Sequence, residues 1–390
     1  MSGLRINTGS TNKTIINPSV TPKFKFEGKF NYPVILLGSN NYDGGVYSLD
    51  GGRHWLTIDT LGYDTEQTLL NANAVSSYLN MSPNLLDVCM WSWTQSGSLG
   101  GCLKHLSHDA GRTWTTTYYD NAKYQYTHYN YNNNTIYLGG WQGGGLKSTD
   151  AGDSFTSLPM LNGIQPLVYD SSDDENYIYA GMTQTKSIQY STNQGSSWTS
   201  ISVSTDGSNN ARIVKCDGTG QYVFAYYGNY SILLDFSDDY GQTYTPLSNS
   251  VNSRGEMKRD GSCFTYISTS TSRIYFSTDQ GSSWTYITSP FGNNISQVYR
   301  QDYTNNEIYI TCREYPQIYK VNSTGDGLEL IKTLNDNVWI FGPSQYGRGY
   351  LYTASDSGLE GDVYFSRNSQ SWELIREKDS TAIGRSPTIL

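Results

Sequence analysis

An all-β fold made of repeated four-stranded units is what the sequence predicts, and three observations carry the prediction. One glycine-bearing phrase recurs along the 390 residues, its copies mostly fall about 40–45 residues apart, and the flanking segments alternate apolar and polar residues as strands do. Composition agrees. With 14% aromatic residues the chain can bury a large core, which excludes disorder. Charged residues make up 16%, against a usual value of about a quarter, and Gly, Ser, Thr, Asn and 34 Tyr fill the gap. A net charge of −9 argues against non-specific nucleic-acid binding. Mean hydropathy is −0.54 and no apolar run approaches the roughly 20 residues of a membrane-spanning helix, so the expectation is a soluble chain.

The phrase reads SLDGGRHW (48–55), SHDAGRTW (107–114), STDAGDSF (148–155), STNQGSSW (191–198), SDDYGQTY (237–244) and STDQGSSW (277–284). A worn copy, SRNSQSW, occupies 366–372. Asp or Asn closes a tight turn by accepting backbone N–H bonds, the glycine takes a positive φ, and the aromatic three residues on anchors the returning strand. Asp50, Asp109, Asp150, Asn193, Asp239 and Asp279 are therefore expected to close turns, not to act as catalytic acids. Each phrase becomes the turn of a hairpin, as in GGVYSLD followed by HWLTI.

Spacing counts the units. Successive phrase serines lie 59, 41, 43, 46, 40 and 89 residues apart. The long last interval holds a unit without its phrase, seen as QIYKVNSTGDGLELIKTL (317–334), and the first holds an insertion near 60–73. Each unit carries two further strands before its hairpin; the fourth runs IQPLVYD, YIYAGMT, SIQYSTN, SWTSISV. Four short antiparallel strands per unit make the blade of a β-propeller, in which radial repetition leaves only short, protected edges. Eight blades is the favoured count, seven if the unit at 291–334 is incomplete. The first blade has three strands of its own, and its fourth comes from KFKFEGKF (23–30) or, preferentially, from the C-terminal TAIGRSPTIL (381–390). The expected organisation is a polar arm over 1–30 and a propeller over 31–390 closed by the C-terminal strand.

The phrase resembles the Asp-box, or BNR repeat, with its pattern S-x-D-x-G-x-T/S-W. The resemblance spans about 48–372 and links the chain to sialidases, xyloglucan hydrolases, sortilin-type receptor domains and a photosystem assembly factor. It implies the fold; for function it is silent, since the same turn serves hydrolases, receptors and assembly factors. It also implies that the box is a folding element on the rim, away from any ligand site.

Enzymatic readings find little support in the residues. Sialidase-type chemistry requires an arginine triad, a Tyr–Glu nucleophile pair and an acid Asp, with an Arg-Ile-Pro motif before the boxes. No such motif occurs; Arg212, Arg254, Arg300, Arg313 and Arg348 are the arginines placed to face the axis. A glycosidase needs two carboxylates about 5–10 Å apart across a groove. Most of the acids outside the phrases, a set that includes Asp170 and Glu256, fall in turns and read as solvated turn formers, Asp173-Asp174-Glu175 in particular. His54, His105, His108 and His128 have no metal-ligand spacing, and no nucleophile elbow or phosphate loop appears. No cofactor, metal site or catalytic residue is expected. Of the five cysteines, only Cys89 and Cys102 fall on neighbouring strands; the others are expected as buried thiols.

Binding has positive content. If the phrase closes the turn between third and fourth strands, the loops between second and third strands open on the opposite face. That face carries Tyr42, Trp93, Gln95, Trp141, Gln142, Tyr227, Tyr230, Arg313, Glu314 and Tyr315, aromatics beside amides and a few charges, suited to sugar stacking or protein contact. The Ser/Thr/Asn/Gly/Tyr vocabulary, and an N-terminus without the apolar stretch of a secretory signal, fit a non-enzymatic virus or phage particle component that mediates attachment or assembly. Its arm would dock on neighbouring chains, with no membrane insertion and no nucleic-acid partner. The alternatives are a secreted or cell-surface carbohydrate-binding propeller and a glycoside hydrolase.

Overall fold

The computed structural model describes residues 35–39, 46–48, 56–57, 74–81, 87–94, 101–109, 113–120, 124–130, 132–140, 144–160, 165–182, 185, 187–202, 211–227, 233–248, 254–294, 296–301, 306–312, 315–334, 337–343, 350–354, 362–367, 371–376 and 383–389. Among these residues there is no helix, and the strands form eight four-stranded antiparallel sheets. Their innermost strands are Ala74–Met81, Tyr124–Asn130, Pro166–Ser171, Ala211–Cys216, Arg254–Met257, Ser296–Gln301, Val338–Pro343 and Ile383–Ile389. Each lies beside the next, and Ile383–Ile389 lies beside both Val338–Pro343 and Ala74–Met81, so the circuit closes. The fold is a β-propeller.

The first blade joins the two ends of the described chain. Ile383–Ile389 pairs antiparallel with Ile35–Ser39, with Leu36 opposite Thr388, outside of which lie Val46–Ser48 and Leu56–Thr57. Residues 1–30, including the segment 23–30 and the arm, lie outside the described residues.

The phrase turns share one hydrogen-bond pattern. In the sixth blade Ser277 Oγ donates to Asp279 Oδ1 (2.8 Å) and accepts the Gly281 N–H (2.7 Å). Asp279 Oδ1 also accepts the Ser283 N–H (2.9 Å), and its Oδ2 accepts the Ser283 hydroxyl (2.6 Å). Asp150, Asn193 and Asp239 repeat the arrangement, and Asp109 holds Ser107 and Thr113 in the same way. The backbone is tighter than a lone glycine turn. Both the glycine and the residue before it have positive φ: 60° at Gln280 and 86° at Gly281, with Ala151, Gln194 and Tyr240 in the same region. With a Ser282 N–H to Asp279 C=O bond (3.2 Å), this is the two-residue hairpin turn that matches strand twist.

The glycine has a second duty. A Cβ at Gly281 would lie 2.7 Å from the Phe236 ring of the fifth blade, and one at Gly241 would lie 2.8 Å from Tyr179 of the fourth. Gly152 approaches Cys89 of the second blade in the same manner, at 3.1 Å. Each turn thus closes its own hairpin and seats on the preceding blade. The aromatic anchors do likewise: Trp284 meets Phe236 edge-on, with ring centroids 6.4 Å apart. In the seventh blade, which lacks the phrase, Asn322 Oδ1 accepts the Asp326 and Gly327 N–H groups (3.1 and 3.3 Å) and Gly325 takes a φ of 75°.

All five cysteines are buried free thiols. Cys89 and Cys102 do lie on adjacent strands, Val88–Thr94 and Gly101–Ser107, but out of register, Cys89 opposite Leu106 and Cys102 opposite Trp93. Burial pushes the Cys89 thiol up to about 12, against weaker opposing effects of Lys104 and Trp91.

Gly281→Ala is expected to lower stability in a urea titration by about 2–4 kcal/mol, combining a left-handed backbone term with a clash against the fifth blade. Gly292→Ala, at a φ of 58° with open space where its Cβ would go, is expected to cost only about 1 kcal/mol. Equal losses at the two sites would contradict the seating role.

Candidate functional site

Innermost strands point alternate side chains toward the axis, and four consecutive blades place a titratable residue at one register position. His128, Asp170, Lys215 and Glu256 stand opposite Tyr137, Tyr179, Phe224 and Thr265 of the neighbouring second strands. Arg300, on the innermost strand of the seventh blade, and Arg259, just past that of the sixth, reach into the same region. The result is a charged cluster drawn from five blades.

Four of its members are buried, with Asp170 1% exposed, Glu256 3%, Arg300 7% and Arg259 8%, while His128 and Lys215 are partly exposed. Arg300 Nη1 donates to the Cys216 and Met257 carbonyls (2.9 and 3.3 Å) and lies 3.2 Å from Glu256 Oε1. Its Nη2 lies 3.5 Å from Asp170 Oδ2. Arg259 donates from Nη2 to the Ser171 carbonyl (2.9 Å) and from Nε to Asp173 Oδ1 (3.0 Å), with Nη1 3.6 Å from Asp170 Oδ1. Asp170 also accepts the N–H groups of Cys216 (2.9 Å) and Ser171 (3.0 Å). Lys215 Nζ lies 3.4 Å from Glu256 Oε2, and His128 Nδ1 lies 3.6 Å from Asp170 Oδ1 while its Nε2 meets Ser171 Oγ at 2.9 Å.

Burial by itself would push the Asp170 carboxyl up. The Arg300 guanidinium, followed by His128, Arg259 and Lys215, outweighs it and holds Asp170 well below the ordinary carboxylate range. A carboxylate in that state accepts hydrogen bonds and cannot deliver a proton near neutral pH. The cluster fastens blades three to seven together.

These positions correct the sequence reading of the acids. Asp170 and Glu256 are interior strand residues, not solvated turns. Glu175 does sit in a turn, yet it is 4% exposed with its Oε2 3.3 Å from Lys147 Nζ; Asp174 beside it is exposed, and Asp173 is partly so. Charges in an alternating strand are turned inward when a partner waits there, and their charged partners are 41 to 130 residues away in sequence. The available signal was the repeat itself: aligning the first strands of the blades brings His, Asp, Lys and Glu to one column.

Of the expected binding face, Tyr315 is the residue described with its side chain. It is half-buried, packs edge-on against Phe291 (5.4 Å) and accepts a hydrogen bond from Asn294 Nδ2 to its hydroxyl (3.2 Å). The backbones of Trp93 and Tyr227 lie at or next to the ends of the second strands Val88–Thr94 and Val223–Tyr227, where the chain turns toward the third strand. Tyr42, Gln95, Trp141, Gln142, Tyr230, Arg313 and Glu314 lie outside the described residues, as does Asp50 of the first phrase. The structure brings the remaining phrase residues to the opposite end of the strands. Among the described residues no group of His, Cys, Asp and Glu is arranged to hold a metal.

No protein-family model matches the chain, and no curated protein does. Solved structures do. The dihydro-heme d1 dehydrogenase NirN is similar over 95% of this chain and 77% of its own, with a TM-score of 0.59 and 11% identity. A prolyl endopeptidase is similar over 78% of this chain and 50% of its own, with a TM-score of 0.54 and 10% identity; this chain thus spans half that enzyme's length. YCF48 from Cyanidioschyzon merolae follows at a TM-score of 0.42 and 13% identity, over 67% and 87%. The likeness is one of fold alone.

Asp170→Asn is expected to cost about 3–5 kcal/mol near neutral pH, because it leaves the arginines without their shared buried counter-charge. With its folded-state pKa depressed, Asp170 contributes stability that is present above its unfolded value of 3.8 and is lost as pH falls through the folded one. Urea midpoints measured from pH 6 down to pH 2 check both points: the acid loss should be shallower in the variant than in the wild type.

Proposed function

We propose that the chain is a non-enzymatic interaction propeller of a particle or cell surface, which meets its partner through the loops between second and third strands. One observation carries the reading. The axial carboxylates Asp170 and Glu256 share Arg300, and Asp170 is held ionised, so Asp170 cannot serve as the protonated acid of glycoside hydrolysis and each of the two is engaged in an internal ion pair. The described phrase carboxylates are equally committed; hydrogen bonds from Ser283 and Ser277 hold Asp279 below the ordinary range. With the phrase-turn end occupied by turns and internal ion pairs, the aromatic and amide residues of the other face are left as the contact surface. The polar, Tyr-rich and charge-poor composition supports placement on the outside of an assembly such as a virion, with the arm at 1–30 as its attachment.

Trp93→Ala and Trp141→Ala are expected to weaken binding on a glycan array or capture of assembly partners at least about tenfold with the melting temperature nearly unchanged. The same samples should show no hydrolysis of sialosides or xyloglucan oligosaccharides. Hydrolysis abolished by Asp170→Asn in a folded protein, or unfolding caused by both tryptophan variants, would overturn the proposal. Loss of array binding identifies a glycan ligand; loss of capture alone identifies a protein.

A further inference from the structure

His108 touches carboxylates of two blades at once. It occupies the second position of the second blade's phrase, between Ser107 and Asp109, with its ring half exposed. Nδ1 lies 2.8 Å from Oδ1 of Asp87, which precedes the strand Val88–Thr94 of the same blade. Nε2 lies 3.1 Å from Oδ1 of Asp153, in the phrase turn of the third blade. An ionised carboxylate only accepts hydrogen bonds, and a neutral imidazole has a single N–H. A neutral ring would therefore set a lone pair against one of the two carboxylates, whereas the imidazolium donates to both.

We propose that His108 is a proton-operated clasp between the second and third blades, closed when its imidazolium donates to Asp87 and Asp153 together and loosened when the ring loses its proton. The surrounding charges fit this role. Asp109, in the same phrase, spends its carboxylate on Ser107 and Thr113. Lys104, from the strand Gly101–Ser107, directs its ammonium to the carbonyls of Gly152 and Asp153 (2.9 Å each) and so fixes the turn that carries Asp153. Desolvation lowers the ring's proton affinity, but Asp87 and Asp153 outweigh it and raise the pKa above the ordinary 6.5. The clasp therefore contributes fully below pH 6.5, and its contribution is lost as pH rises through the raised value. The corresponding position holds Thr149, Thr192, Asp238 and Thr278 in the next four phrases, so proton control belongs to this joint.

The test is an NMR titration of the full chain, with the His108 ring signals assigned by their absence in His108→Gln. The wild-type ring should titrate above 6.5, and Asp87→Asn and Asp153→Asn should each lower that value; Asp153, exposed, serves alone if the other variant does not fold. Amide exchange at Asp153 and Ser154, corrected for intrinsic rates, should be about two- to fivefold slower at pH 5.5 than at pH 8 in the wild type and equal in His108→Gln. A ring that titrates at or below 6.5, no response to Asp153→Asn, or the same exchange difference in His108→Gln would overturn the proposal.

Discussion

Two successive backbone residues held at positive φ, with a serine hydroxyl and a carboxylate or amide oxygen to receive the N–H groups they turn inward, are the constraint on which the molecule depends. Ser277 shows why a hydroxyl is needed: it donates to Asp279 while accepting from Gly281, a double role no carboxylate can fill. The glycine then lets an aromatic ring of the preceding blade come where a methyl group would stand. Hairpin closure and blade-to-blade packing are thus one event, repeated around the axis. Once the blades are seated, their first strands converge and bring together charges that the chain keeps far apart.

That convergence explains which features could be read from residues alone. A turn is local: Asp150, Asn193 and Asp239 close theirs within seven residues, so the phrase announced hairpins, strands and the four-stranded unit. The left-handed residue before each glycine escaped notice because Ala151, Gln194, Tyr240 and Gln280 share no chemistry, only a backbone position. The axial cluster is non-local. Asp170 looks like an ordinary polar residue at the end of IQPLVYD, and nothing nearby says that Arg300, 130 residues on, will lie 3.5 Å away. The aromatic face is different again. Tyr315 sits in a loop as its sequence suggests, yet its ring packs on Phe291 and its hydroxyl accepts a hydrogen bond from Asn294, both more than twenty residues earlier.

Buried ion pairs seldom raise stability over a well-packed apolar core, because desolvation opposes the attraction. An arginine that must find Asp170, Glu256 and two carbonyls at once penalises any ring in which blades four to seven are misordered or missing. In a repeat protein, whose blades resemble one another, such pairing distinguishes equivalent edges. One end of the strands is thereby committed to turns and internal charge.

The central claim is that phrase turns are joints of the whole ring. Native-state hydrogen exchange measures it most directly at the N–H groups of Gly152, Gly195, Gly241 and Gly281, each bonded to a serine hydroxyl. If the turns are joints, these four amides exchange only through global unfolding, with the free energy and denaturant dependence of the most protected strand amides. Exchange through local opening, independent of denaturant and as fast as in the exposed turns between first and second strands, would contradict it.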